Sequence, residues 1–502
     1  MKNIISYFKK SSLGLRAVAS LMTISLMTGC NDYQTLEQNP NLPTSVPSSI
    51  ILRDALKKMN DEAWNDIMRY NQFYCSNYNY YSTNEYSWGN ATLPFTTLKN
   101  VIKMEEEAKK SGAKDLNPYS ALGKFLRAYY YTNMTLRVGD LPVKDALQGL
   151  TVDKPKYDTQ KDVFVQVLKW LEDSNSDLTQ LIASGNKTLD GDIYYANDLR
   201  KWQKAVNTFR LRVLIHLSKK ADDTDLKVKQ DFANVLNNPS KYPLMGDLSE
   251  SLQFVWGTNN KYPRNPDNLG NNATRENMSK TYLDLLKNFK DPRLFVVAEP
   301  AEAQLAKGLK ATDFDAYVGA SSGEDLADMS SKAGKGEYSF QSRKRYYSSY
   351  TGENTFIVSY PELCFNIAEA INQGWVSGNA QTWYEQGIKA SMSFYGITDA
   401  TAYLAQSNVK YAGNTAAGLN QILSQKYIAF FQNSGYEAYF NWRRTGVPTF
   451  LVGPGTANGT KIPLRYQYPS SELSTNQVNV TDAITRQFSG SDNINAIMWI
   501  IK

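Results

Sequence analysis

The chain has 502 residues, a formal net charge of +6 and 21% charged residues, enough length for one large core or two to three lobes. One histidine and three cysteines leave zinc and copper sites almost without ligands and exclude a disulfide scaffold. No run of Lys and Arg interleaved with aromatics supports nucleic-acid binding.

Lys2, Lys9, Lys10 and Arg16 precede a short apolar stretch from Ala17 to Thr28 that closes on Cys30. That order reads as a secretory signal peptide over 1–29. The stretch is too short to span ~30 Å of hydrocarbon as a permanent helix. Leu26-Met27-Thr28-Gly29-Cys30 resembles a bacterial lipobox, with Met27 where leucine usually stands. Cleavage before Cys30 would leave 473 residues with an acylated amino terminus. It would also remove four basic residues, so the mature charge is near +2 and the basic balance points to no polyanion partner. Residues 30–48, with Asn39-Pro40-Asn41, Pro43 and Pro47, read as the lipidated end and a flexible tether.

Beyond residue 48 the pattern is mainly helical. Asn117-Pro118 supplies a cap and a first-turn proline, and Leu122, Phe125, Leu126 and Tyr129 then recur at helical spacing. Phe164, Val167, Leu168, Leu171, Leu178 and Leu181 mark the next helix, and Trp202, Val206, Phe209 and Val213 another. His216 continues that stripe and is expected to be packed rather than catalytic. Leu363, Ile367 and Ala370, then Trp383, Gly387 and Ala390, then Leu419, Ile422 and Leu423 follow. Cys364 is expected to be a buried small apolar residue. Glu362 and Glu369, seven apart on one helix face, are expected to be solvated or capping. Arg443 and Arg444 are expected to bond main-chain carbonyls or Glu437. The helices come in pairs with small residues between them, as in a degenerate tetratricopeptide-like solenoid. Irregular stretches interrupt them at about 70–95, 240–275 and 311–359.

Tyrosine is plentiful, with 33 Tyr beside 20 Phe and 9 Trp. Such rings suit either helix interfaces or sugar recognition, where they cover the C–H face of a pyranose while amides bond its hydroxyls. Tyr70 to Asn90 is the densest segment, with further candidates around Trp256 and Tyr346.

Four stretches in order resemble the SusD/RagB family. They are Ala121 to Tyr130 running into Gly139-Asp140-Leu141-Pro142; Gly191-Asp192 with Lys201-Trp202; Tyr360-Pro361-Glu362-Leu363 with Tyr384-Glu385; and Asn441-Trp442-Arg443-Arg444-Thr445-Gly446 with Ile462-Pro463. The resemblance implies one domain over 49–502, mainly α, with tetratricopeptide-like helix pairs and a large irregular, loop-rich ligand-binding region. It implies a non-catalytic lipoprotein of the outer membrane, facing outward, that binds glycan and passes it to a SusC-like TonB-dependent transporter barrel. Some relatives bind peptides, and some bind calcium; no EF-hand spacing stands here, and neither a metal nor a cofactor is assigned. Tyr80, Tyr81, Asn84, Trp88, Trp256, Tyr262, Arg264 and Tyr346 are the expected sugar contacts, with Trp88 and Tyr81 stacking and Asn84 and Arg264 bonding hydroxyls. The alternatives are a lipid-anchored glycoside hydrolase, requiring two carboxylates about 5–9.5 Å apart in a cleft, or a peptide-binding relative of the same family.

The anchor is testable directly. Cys30→Ala is expected to release a folded, ligand-competent protein into the soluble fraction; a variant still sedimenting with membranes would refute lipidation at Cys30.

Overall fold

Side-chain caps set the helix boundaries. The computed structural model describes residues 45–80 and 82–502; the predicted signal at 1–29, Cys30, the tether up to residue 44 and Tyr81 lie outside the described residues. Helices α1 (Ser48–Lys57) and α2 (Phe95–Lys110) precede α3 (Pro118–Val138). The Asn117 side chain accepts from the Ser120 amide at 3.0 Å, and the Asn117 amide donates to the Ser120 hydroxyl at 3.2 Å. This reciprocal pair satisfies donors that the first helical turn would leave open. Leu122, Phe125, Leu126 and Tyr129 are all buried. Gly139 ends α3 at φ 101°, where a side chain would be strained. The side chains of Thr159 and Asp198 cap α4 (Gln160–Ala183) and α5 (Leu199–His216) by accepting from first-turn amides.

The C-terminal half repeats the scheme. Ser359, Asn379 and Thr415 cap α6 (Tyr360–Asn372), α7 (Ala380–Phe394) and α8 (Ala416–Ala429), and α9 (Glu437–Thr445) stops at Gly446. Neighbours in sequence pack on one another, α3 on α4, α4 on α5 and α6 on α7, while α6 also meets α5 and α8. The α6–α7 contact depends on Gly387, since a Cβ there would stand 2.8 Å from the Phe365 ring. The described residues hold four strands of three or four residues in two antiparallel pairs, so the fold is mainly α.

Where α5, α6, α8 and α9 meet, the core is ionic. Arg212 Nε donates to Glu362 Oε1 at 2.6 Å and its Nη2 to the Ile357 carbonyl at 2.7 Å. His216 Nε2 lies 3.0 Å from Glu437 Oε2. Arg444 Nη2 donates to Glu369 Oε2 at 3.1 Å, and Lys426 Nζ stands 3.6 Å from the same carboxylate. All seven groups are buried. This corrects two expectations. Glu362 and Glu369 are neither solvated nor capping, because bases from three other helices converge on their face. Arg444 pairs with Glu369 rather than Glu437, whereas Arg443 does bond main-chain carbonyls, of Leu136 at 2.8 Å and Leu464 at 2.7 Å. His216 is packed as expected, edge-on to Phe440.

Burial raises the Glu437 carboxyl, but His216 and Arg212 outweigh it and hold the group down at about 2, below its ordinary 4.5. A carboxyl held low in the folded state stabilises fully above about pH 4.5 and loses that contribution as pH falls toward 2. Urea unfolding between pH 6 and 3 should therefore show a steep acid-side loss. In Glu437→Gln the loss over that window should flatten by roughly 2 kcal/mol, and an unchanged slope would refute the assignment.

Candidate functional site

The three irregular stretches are knitted into one loop assembly. β1 (Tyr74–Ser76) pairs antiparallel with β3 (Glu276–Met278), Cys75 opposite Asn277. β2 (Leu252–Phe254) pairs with β4 (Thr355–Val358). The Tyr262 amide donates to the Tyr350 carbonyl at 2.8 Å, and the Lys280 amide to Ala320 at 2.7 Å. Backbone groups that each stretch could not satisfy alone find partners in the others, in residues 276–280 just beyond the second, and near the C-terminus, where the Tyr86 amide donates to Thr456 O at 2.9 Å.

This assembly presents two tyrosines outward. Tyr80 is 79% exposed and Tyr78 is 39% exposed, with ring centroids 6.3 Å apart and planes at 35°. The Arg275 guanidinium lies 4.4 Å over the Tyr78 ring, within cation–π range. The loop carrying them is pinned at its base. The Asn77 amide donates to the Arg275 carbonyl at 3.0 Å, and Asn77 Nδ2 donates to Thr274 O at 3.1 Å and Asn277 Oδ1 at 2.7 Å. Asn84 accepts from the Ser76 amide and donates to the Ser76 carbonyl, both at 2.8 Å. Arg69 Nη1 bonds Ser82 Oγ at 2.7 Å and Asp66 Oδ1 at 2.9 Å. Tyr350 belongs to the same assembly, with Lys261 Nζ 4.5 Å over its ring and its hydroxyl 2.9 Å from Asp267. The tyrosine pair is an open platform on which an extended ligand can lie, rather than a closed pocket.

Of the expected contacts, Tyr80 is on this surface and Tyr81 lies outside the described residues. The others are interior, which corrects the expectation. Trp88 is 5% exposed and stacks on Tyr466 at 4.3 Å and 11°, with Tyr439 against it at 4.9 Å. Asn84 spends its amide on Ser76. Trp256 Nε1 donates to Thr355 Oγ1 at 2.9 Å. The Tyr262 hydroxyl accepts from Trp64 Nε1 at 3.0 Å, and its ring stacks near Tyr346 at 6.4 Å. Arg264 pairs with buried Glu276. These rings and polar groups are consumed by protein, so they support the platform instead of forming it. Sequence reading missed Arg275. The residue stands beside β3, but only the pairing with β1 reveals that it covers Tyr78.

Other reactive groups are quiet. Cys75 and Cys364 are buried free thiols, each pushed up to about 12 by burial. Among the described residues no group of three or more His, Cys, Asp or Glu is placed to hold a metal ion, and no helix is long and apolar enough to cross a membrane. The groove of about 540 Å³ beside α4 and α5 contains Glu172 and Asp231, both tied to Arg210.

Comparison with known proteins gives one consistent result. Residues 40–469 match the SusD-like family described as starch-binding associating with outer membrane. A SusD homolog of Bacteroides fragilis superimposes with TM-score 0.83 at 31% identity, covering 91% of this chain and 100% of its own. A second from that organism gives TM-score 0.79 at 31% identity, with the same coverage. A chitin-binding SusD homolog of Flavobacterium johnsoniae shares the fold at 20% identity, with TM-score 0.70 and coverage of 90% and 95%. No curated protein matches the chain.

The burial of Trp88 makes a discriminating prediction. Trp88→Ala should cost about 3–5 kcal/mol of stability by leaving a cavity against Tyr466 and Tyr439, read as a lowered urea midpoint. A variant of unchanged stability would place the ring at the surface instead.

Proposed function

The chain belongs to the SusD-like family, and we propose that it captures oligosaccharide or polysaccharide at the cell surface without cleaving it and passes it to a TonB-dependent transporter barrel. The acyl group on Cys30 and the tether to residue 48 hold the domain at the outer membrane in this reading. The observation that carries it is the exposed Tyr78–Tyr80 pair, braced by Arg275, on a loop assembly fixed by β1–β3 pairing. Two inclined rings offer apolar faces to successive sugar units, and their hydroxyls offer hydrogen bonds. An open platform tolerates a polymer that runs past both ends, which suits capture from solution.

Affinity electrophoresis against a panel of soluble polysaccharides tests the reading. Tyr78→Ala and Tyr80→Ala should each weaken retention by about tenfold, equivalent to ~1.4 kcal/mol, with unchanged thermal stability for exposed Tyr80. Release of reducing ends from the retained polysaccharide would instead favour the hydrolase. Retention unaffected by both variants would move the site off this platform.

A further inference from the structure

A second site lies on the helical side of the molecule, between the end of α1, the C-terminal half of α3 and the loop before α9. A cup of about 300 Å³ opens there, lined by Asp61, Asn133, Arg137 and Tyr436 among others. Its walls are already satisfied. The Tyr129 hydroxyl donates to Met59 O at 2.9 Å, Tyr130 to Ala55 O at 2.7 Å, and Asn133 Nδ2 to Tyr129 O at 3.0 Å. Lys58 at the rim is paired with Asp54.

Two charges in the cup lack a salt-bridge partner. Arg137 Nε donates to Asn133 O at 3.1 Å, and its guanidinium, 5.7 Å from the Tyr436 ring centroid, also bonds that side chain but meets no carboxylate among the described residues. Among the described residues Asp61 and Arg137 form no ion pair with each other or with any other charge. Asp61 owes its position to Gly435, because a Cβ there would fall 2.1 Å from Asp61 Oδ2. The cost of the arrangement is visible in Asp61, whose carboxyl burial raises to about 6 against the lowering effect of Arg137.

We propose that this cup binds a free α-amino acid, with its ammonium on Asp61 and its carboxylate on Arg137. An anion would leave Asp61 uncompensated and a cation would leave Arg137 so. A neutral sugar would offer hydrogen bonds to both but cancel neither charge. A zwitterion with one carbon between its charges answers both at once, and charge-assisted bonds are about twice as strong as neutral ones. The volume suits one residue-sized molecule. This site is separate from the Tyr78–Tyr80 platform and does not depend on the glycan reading.

Isothermal titration of the intact protein with each of the twenty standard amino acids tests it. At least one should bind, and its N-acetyl and carboxamide derivatives, which each lack one charge, should bind at least about tenfold more weakly. Asp61→Asn and Arg137→Gln should each remove binding by about tenfold or more while leaving polysaccharide retention intact. Arg137→Lys should retain part of the affinity, and Tyr80→Ala all of it. The proposal fails if none of the twenty binds, if the blocked derivatives bind as well as the parent, or if binding survives both charge-removing variants. Binding of glucose or N-acetylglucosamine that is lost in Asp61→Asn would reassign the cup to sugar.

Discussion

The buried charge network at the junction of α5, α6, α8 and α9 is the constraint on which the rest of the molecule hangs. Three carboxylates (Glu362, Glu369 and Glu437) face Arg212, His216, Lys426 and Arg444 with almost no exposure to water. Desolvating such groups is repaid only when every carboxylate meets its base in good geometry. The partners come from sequence positions far apart, so satisfying them fixes how these four helices lie against one another. Arg212 extends the constraint by binding the Ile357 carbonyl in β4. Since β4 pairs with β2, the helical body and the loop assembly share one anchor.

Tyrosine accounts for much of the rest. Its hydroxyls reach from helices and strands to carbonyls in irregular backbone: Tyr427 to Asn71 at 2.8 Å, Tyr74 to Trp64 at 2.9 Å, Tyr439 to Pro463 at 2.6 Å. A ring that packs as a hydrophobe and also donates one hydrogen bond can seal a loop onto a core without stranding a polar group. The high tyrosine content is therefore chiefly an interior device. Only a few rings, Tyr78 and Tyr80 foremost, are left for the surface.

The helical body was legible because its signals are local. Asn117-Pro118 and the stripe from Leu122 to Tyr129 lie within a dozen residues, and the structure places both as read. The family motifs were equally legible, since four short stretches in order cover most of the chain. What sequence could not show is who faces whom. Glu362 and Glu369 share a helix face, but their bases lie on other helices. Trp88 looks like a sugar platform until Tyr466, hundreds of residues away, covers its face. Burial does not alternate along β1, all three residues being inside, so the usual period of two gave no hint that the following tyrosines turn outward. The aromatic density of 70–90 marked the segment that carries exposed Tyr78 and Tyr80, while Trp88 and Asn84 beside them are buried.

Asn84 shows what this costs and returns. Its amide takes the place of a missing strand, donating to and accepting from the same residue, Ser76. The loop that carries the outward rings is thereby closed before any ligand arrives. In the proposed role, a platform held in this way would not have to be ordered at the moment of contact, so little entropy would be lost on capture. Encounter with a polymer would then be governed by diffusion and orientation rather than by rearrangement of the protein.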